Sequence, residues 1–164
     1  MTAKLSWQDI VDQNGEAIFR VAYRVLRNLH DAEDVSQEVL LEAYVMDNLP
    51  EVGLLKRMTA FRAIDRLRQR KTAICFDELV HLPKQHDLTD LSVIAEQAEL
   101  LRMAIARLPQ RQARCFWLRY VEGMANREIA ESLSISASAV STALSKARHS
   151  LRNSIPKKCK ESYE

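Results

Sequence analysis

The stretch that decides the fold is ANREIAESLSISASAVSTALSKARHSLR, residues 125–152. Its pattern predicts two short helices joined by a tight turn. At about 100° per residue, one stripe of the second helix is apolar and can dock that helix on its own domain. This stripe consists of Val140, Leu144, Ala147 and Leu151. In the first helix Ile129, Ala130 and Leu133 face inward, and Ala130 is small enough for a close helix crossing. The spacing is typical of a helix-turn-helix.

The opposite face of the second helix carries short hydroxyls, with basic residues towards its C-terminal end. Such side chains suit base edges and phosphates in the major groove of DNA. The predicted DNA-reading residues are Ser138, Ser141, Thr142, Ser145, Lys146, Arg148, His149 and Arg152. The alternative is an ordinary antiparallel helix pair, because hydroxyl-rich helix faces are often merely solvated.

The composition predicts an all-α protein. Of 164 residues, 47% are hydrophobic and 28% are charged, and only three Gly and four Pro occur, which argues against a turn-rich β fold. No apolar run is long enough to span a membrane and none resembles a signal peptide, so we expect a cytoplasmic protein without membrane insertion. Cys75, Cys115 and Cys159 are widely spaced and form no C-x-x-C pair, which predicts free thiols.

Opposite charges are segregated along the chain. Residues 28–55 contain several acids but no Lys or Arg, whereas residues 56–71 are rich in Lys and Arg and contain a single Asp. Residues 77–99 are acidic again. Such blocks suggest that different elements bind different partners.

Two helices are predicted before residue 47. Ser6 can cap the first, within which Asn14-Gly15 is a candidate break. The second runs from Asp31, its predicted N-cap, to about Met46. One face of this second helix mixes acid, amide and an exposed leucine: Asp34, Gln37, Glu38 and Leu41. That face suits a protein partner, and a plain solvated acidic face is the alternative.

A third helix is predicted from about Leu54 to Lys71. The residues predicted to point inward are Leu54, Met58, Phe61 and Ile64. Along one edge, at one-turn intervals, lie Arg62, Arg66 and Arg70. Asp65 can pair with Arg62 or Arg68, a turn away. Repeated arginines at this spacing suit a phosphate backbone or an opened DNA strand.

Residues 73–92 have poor periodicity and are interpreted as a linker. Within it, Glu78-x-x-His81 resembles half of a di-iron carboxylate motif, but the chain has no second copy. A zinc site built from Cys75, His81 and His86 matches no closed ligand spacing. We therefore predict neither a metal nor another cofactor, and a helical-bundle metalloenzyme remains a remote alternative.

A second helical domain follows the linker. Its first helix has a predicted apolar face of Ile94, Ala98, Leu101, Ile105 and Leu108, and Pro109 precedes the next helix. The chain is thus predicted to form two small helical domains joined by a linker, the C-terminal one a helix-turn-helix. The predicted bounds are 1–72 and 93–156 for the domains, 73–92 for the linker and 157–164 for a basic tail.

Three segments, in this order, resemble the bacterial extracytoplasmic-function (ECF) sigma factors, the small two-domain class of RNA polymerase specificity subunit. AYRVLRNLHDAEDVSQEVLLEAY, residues 22–44, resembles conserved region 2, and its AEDVSQE core is the most specific part. AFRAIDRLRQRK, residues 60–71, resembles the end of the promoter-melting helix. Residues 108–152 resemble region 4 nearly end to end.

The resemblance implies a function and a role for each predicted surface. It implies that the chain binds core RNA polymerase and directs promoter-specific initiation without catalytic activity, and that an anti-sigma factor holds it inactive. The residues implied to bind core polymerase are Asp34, Gln37, Glu38 and Leu41. Those implied to recognise and melt the −10 element are Asn48, Leu49, Arg62, Arg66, Arg68 and Arg70. The last helix is implied to read the −35 element.

The chain departs from the family pattern at several positions. Leu54 and Phe61 stand where the family usually has Trp and Asn. Ser134 stands in the helix-turn-helix turn, where Gly is common, so a positive φ there would be strained. The first half of the last helix carries no positive charge, which suggests an unusual promoter preference or weaker binding to the −35 element. The alternative function is a stand-alone helix-turn-helix regulator with an N-terminal interaction domain.

Overall fold

The computed structural model describes residues 6–46, 50–74 and 90–154. Within these ranges all regular secondary structure is α-helical, in seven helices, so the predicted all-α class is confirmed. By its internal contacts the chain divides into two compact units, Met1–Phe76 and Asp77–Glu164. Three groups of predicted residues lie outside the described ranges: Asn48 and Leu49, the candidate metal ligands of the linker, and the basic tail.

The first unit is a bundle of three helices, α1 (Trp7–Leu26), α2 (Leu29–Val45) and α3 (Val52–Ile74), each packed on the other two. Ser6 caps α1 as predicted: its hydroxyl accepts from the Asp9 backbone N–H at 3.2 Å, and the Asp9 carboxylate accepts from the Ser6 backbone N–H at 3.0 Å. The hydrogen bond from the Ser6 hydroxyl is the main reason that the pKa of Asp9 lies below its usual value.

Two predictions about the first two helices are wrong. Asn14-Gly15 does not break α1, because the buried Asn14 amide donates to the Ile10 carbonyl at 3.1 Å and so bonds within its own helix. Asp31 is not the N-cap of α2. Asn28 has the extended backbone that a cap requires, and its side chain accepts from the Asp31 N–H at 3.0 Å. Asp31 therefore lies inside the first turn, where its carboxylate can contact α3.

The predicted inward face of α3 is also partly wrong. Leu54 is 45% exposed, whereas its neighbour Leu55 is fully buried. The buried stripe consists of Leu55, Thr59, Ala60, Ala63, Ile64 and Leu67. Half of these side chains are small, and the buried Thr59 hydroxyl donates to the Leu55 carbonyl at 2.7 Å. A search for large apolar residues at helical spacing misses such a stripe, because half of its residues are alanine or threonine. The threonine can be buried since its hydroxyl is hydrogen-bonded within the same helix.

The second unit contains α4 (Asp90–Arg107), α5 (Gln110–Tyr120), α6 (Asn126–Leu133) and α7 (Ala137–Ser154). The predicted apolar face of α4 is partly wrong: Leu108 is buried as predicted, but Leu101 is 38% exposed and Ala98 is exposed, while Ala104 and Ala106 are buried. Cys115 of α5 is fully buried and free, and this burial raises the pKa of its thiol. Buried Leu118 and Ile129 complete the centre of this core.

The helices α6 and α7 form the predicted helix-turn-helix. All four residues of the predicted α7 stripe (Val140, Leu144, Ala147 and Leu151) are buried, which confirms that prediction. The turn between the helices is closed by a hydrogen bond from the Ile135 N–H to the Ala130 carbonyl at 3.0 Å. Ser134 has φ 54° and ψ 45°, the left-handed conformation that was predicted to be strained.

Ser134→Gly is expected to raise the free energy of unfolding by about 0.5–1 kcal/mol, because glycine adopts the left-handed conformation without a Cβ clash. Urea denaturation followed by circular dichroism measures the change. Ser132→Gly is the matched control: Ser132 is exposed in the last turn of α6, where the backbone is helical and glycine should lower stability by up to about 0.5–1 kcal/mol. Equal losses in both variants would show that the turn is unstrained.

Candidate DNA and polymerase interfaces

The predicted DNA-reading residues share one exposed side of α7. The structure places all eight of them at the surface, opposite the buried stripe: Ser138, Ser141, Thr142, Ser145, Lys146, Arg148, His149 and Arg152. Ser136 is the N-cap of α7, because its hydroxyl accepts from the Ala139 N–H at 3.1 Å. The first half of the face offers hydroxyls, and the second half adds positive charge. Such a face can contact base edges and phosphates at the same time.

A groove of about 440 Å³ runs between the start of α5 and the first half of α7. Arg111 and Gln112 lie on its α5 side, and Thr142 and Lys146 lie on its α7 side. Arg111 is exposed and brings a positive charge beside the hydroxyl half of α7. The sequence prediction missed Arg111, because only the packing of α5 on α7 brings it to this face.

Asn126, the first residue of α6, also reaches the predicted reading face. Its side-chain amide donates to the Ser141 hydroxyl oxygen at 3.2 Å. The start of α6 is held in place by Glu128, whose carboxylate accepts from the Ala125 N–H at 2.6 Å. No spacing in the sequence indicates this bond, because it depends on the angle between the two helices.

The four residues predicted to bind polymerase lie together on the exposed side of α2. Asp34, Gln37, Glu38 and Leu41 are all exposed. Leu41 is 54% exposed, and Val45, one turn further along, is 77% exposed. An acidic and amide surface that continues into exposed apolar side chains is suited to a protein partner with a basic and apolar docking surface.

Three arginines of α3 form ion pairs with acids of α2, a set that we call the arginine ladder. It consists of Arg62, Arg66 and Arg70 on α3 with Asp31, Glu38 and Glu42 on α2. The Arg66 guanidinium lies 2.8 Å from the Glu38 carboxylate, and that of Arg70 lies 2.7 Å from the carboxylate of Asp31. Arg62 pairs with Glu42 and, at 3.5 Å, with Glu38.

The prediction that Asp65 pairs with Arg62 or Arg68 is confirmed by its second alternative. Arg68 does pair with Asp65 in its own helix, at 3.7 Å. Arg62, however, pairs with acids of α2. Exposed ion pairs contribute only about 0–1 kcal/mol each, and the arginine side chains of the ladder are 30–42% exposed. Exchanging a carboxylate for a DNA phosphate therefore costs little.

Comparison with known proteins identifies the chain. The Sigma-70 region 2 family matches residues 10–73, and the Sigma-70 region 4 family matches residues 98–151. The ECF RNA polymerase sigma factor SigW of Bacillus subtilis is 27% identical over 92% of this chain and 89% of its own length. The chain belongs to the ECF sigma factors. SigE of Mycolicibacterium smegmatis, another ECF sigma factor, is 27% identical over 97% of the chain, which spans 65% of that longer protein.

A solved structure also resembles this sigma factor. The sigma factor RpoE, in complex with the anti-sigma factor NepR from Bartonella quintana, superposes with a TM-score of 0.50 and 16% identity, over 90% of this chain and 94% of that one. At this identity the likeness shows the fold alone. Among the residues described for the ECF sigma factor, no helix is long and apolar enough to cross a membrane, and no group of three His, Cys, Asp or Glu is placed to hold a metal ion.

Proposed function

We propose that this ECF sigma factor binds core RNA polymerase and directs transcription initiation at promoters with −35 and −10 elements. One observation carries the proposal: sigma-70 regions 2 and 4 match in order on the two helical units of the chain. The chain supplies recognition and strand binding, and polymerase supplies the catalysis. Because the factor works on polymerase, its place of action is the cytoplasm.

The second unit is assigned to the −35 element. In this proposal α7 lies in the major groove with its hydroxyl half against base edges, while Lys146, Arg148 and Arg152 contact phosphates. The exposed guanidinium of Arg111 supports this assignment, because it adds phosphate-binding charge beside the uncharged half of α7.

The first unit is assigned to polymerase docking and to the −10 element. The exposed face of α2 at Asp34, Gln37, Glu38 and Leu41 is proposed to dock on polymerase, supported by its exposure and charge. The arginine ladder and Arg68 are proposed to bind the backbone of the opening strands. Asn48 and Leu49 are assigned to a −10 base on the family resemblance alone.

An anti-sigma factor is the further proposed partner. The structurally similar RpoE is bound to the anti-sigma factor NepR. In this chain the exposed leucine and valine at the end of α2 offer an apolar anchor beside acids, and a partner that covers them would block polymerase docking.

Run-off transcription tests the proposed function. With core polymerase, the chain is expected to produce a promoter-specific transcript from a template that carries the DNA upstream of its own gene. The free chain is expected to bind the same duplex weakly, because its two DNA-binding units are oriented only on polymerase. Tight, specific duplex binding by the free chain, with no transcript when core polymerase is added, would instead identify a stand-alone regulator.

A further inference from the structure

The hydrogen bond between Asn126 and Ser141 joins the two helices of the helix-turn-helix at the surface proposed to meet DNA. Asn126 is partly buried at the start of α6, while Ser141 is exposed on α7. The amide of Asn126 donates to the hydroxyl oxygen of Ser141 at 3.2 Å. A neighbouring hydroxyl on α7 bonds locally instead, with Ser138 Oγ lying 3.0 Å from Ser136 Oγ. Among the predicted reading hydroxyls, Ser141 is thus the one held by α6.

This bond decides how Ser141 can use its hydroxyl. A serine hydroxyl has one hydrogen to donate and two lone pairs that accept. The amide hydrogen of Asn126 occupies one lone pair and polarises the hydroxyl, so the hydrogen of Ser141 becomes a stronger donor while a single lone pair is left to accept. Among the residues that the structure describes, the Ser141 hydroxyl donates no hydrogen bond to a protein acceptor. In the major groove, acceptors are guanine N7 and O6, adenine N7 and thymine O4, whereas cytosine offers only its N4 donor.

The bond is not required to hold α6 on α7. Ile129 and Val140 are fully buried between these elements and their neighbours, and Ala130 and Ala143 are also buried. Burial of this apolar surface fixes the crossing of the two helices, and the exposed polar bond adds little to it. What the bond adds is the orientation of one hydroxyl on the outer surface.

We propose that Asn126 is a specificity-determining residue, which holds Ser141 as a hydrogen-bond donor towards the −35 element and so disfavours cytosine at the base that Ser141 contacts. The inference rests on the proposed function, in which α7 reads promoter DNA. Asn126 acts here as a positioning residue, because its effect passes through the hydroxyl of Ser141.

Selection from a promoter library tests the inference. Holoenzyme assembled from core polymerase and the full chain selects templates with a randomised −35 element, and the bound DNA is sequenced. Ser141→Ala identifies the contacted position, where cytosine should become about 10-fold better tolerated. Asn126→Ala should change the preference at that same position, and the double variant should add little to Ser141→Ala. Asn126→Asp should shift the base preference at that position further towards cytosine. The carboxylate accepts the hydroxyl hydrogen of Ser141, so the lone pairs of the Ser141 oxygen face the base.

Three results separate the possibilities. A changed preference at the position that Ser141→Ala identifies supports the inference. A uniform loss over all sequences, or a change at a different position only, overturns it and leaves the bond a structural link between the helices. A wild-type holoenzyme that selects no −35 sequence at all contradicts the proposed function itself. Thermal denaturation of each variant accompanies the selection, and Ser141→Ala, a change at the surface, tests the contact even where an Asn126 variant is unstable.

Discussion

Asp34→Lys is expected to lower the affinity of the chain for core RNA polymerase about 100-fold, and to abolish promoter-specific run-off transcription at limiting polymerase. Asp34 is exposed on the α2 face proposed to dock on a basic polymerase surface. A like charge placed in such an interface costs several kcal/mol, and each 1.4 kcal/mol is a factor of ten in affinity. Fluorescence anisotropy of the labelled chain with core polymerase measures the affinity directly.

Asp34 is a better test than Glu38, although both belong to the same predicted face. Glu38 also pairs with Arg62 and Arg66, so changing it disturbs the arginine ladder as well. Asp12→Lys is the matched control, because Asp12 is an exposed acid on α1 that accepts a hydrogen bond from Gln8 at 2.9 Å. It makes the same change of charge away from α2. If Asp34→Lys and Asp12→Lys bind polymerase with equal affinity, the proposal that this face of α2 docks on polymerase is wrong.

The sequence was sufficient for the features that depend on spacing within one helix. The buried stripe of α7 follows from apolar residues at helical intervals, and the structure buries all of it. Likewise, the strain at Ser134 follows from the need of a tight helix-helix turn for a left-handed residue. The exposed face of α2 that is proposed to dock on polymerase follows from the same periodicity, on the side opposite the buried stripe of that helix.

Features that depend on contacts between helices could not be read in this way. Asn28 and Asp31 are both good capping residues, and the local backbone conformation decides that Asn28 caps α2. Because Asp31 lies inside the first turn of α2, its carboxylate can form an ion pair with Arg70 of α3, which is 39 residues later in the sequence (70 minus 31). The bond from Asn126 to Ser141 likewise depends on the helix crossing. These contacts join predicted sites that the sequence presented as separate.

The second large effect expected is on promoter opening, and the arginine ladder allows it to be tested in two ways. The same ion pairs can be removed by substituting either the arginines of α3 or the acids of α2. Arg62→Ala with Arg70→Ala is expected to lower the formation of open promoter complexes about 100-fold. The change removes two proposed charge-assisted contacts to phosphates, worth about 1.5 kcal/mol each, and 1.4 kcal/mol is a factor of ten. Permanganate footprinting of the melted strands with holoenzyme measures this loss.

Asp31→Asn with Glu42→Gln removes acids from the same pairs, which releases Arg70 and leaves Arg62 its 3.5 Å contact with Glu38. Loss of the partly exposed pairs of Arg62 should lower stability by about 1 kcal/mol per pair, and loss of the Arg70–Asp31 pair by about 1–3 kcal/mol, because the Asp31 side chain is only 18% exposed. The acid variant should retain promoter opening. It should also bind a single-stranded oligonucleotide more tightly, with a steeper salt dependence, because additional positive charge is free to displace counterions. Asp12→Asn with Glu33→Gln is the control that changes net charge equally, since neither exposed acid pairs with an arginine in the described part of the chain.

The opposite signs of the two effects decide what the ladder does. If the ion pairs served only to hold α2 on α3, removing either side would weaken promoter opening alike, through the same loss of structure. If the arginines bind DNA, only their own removal weakens it, and removal of the acids strengthens binding beyond the charge-matched control. Glu38 belongs both to the ladder and to the α2 face proposed to dock on polymerase, so the second outcome would place the strand-binding arginines directly beside the proposed docking acids.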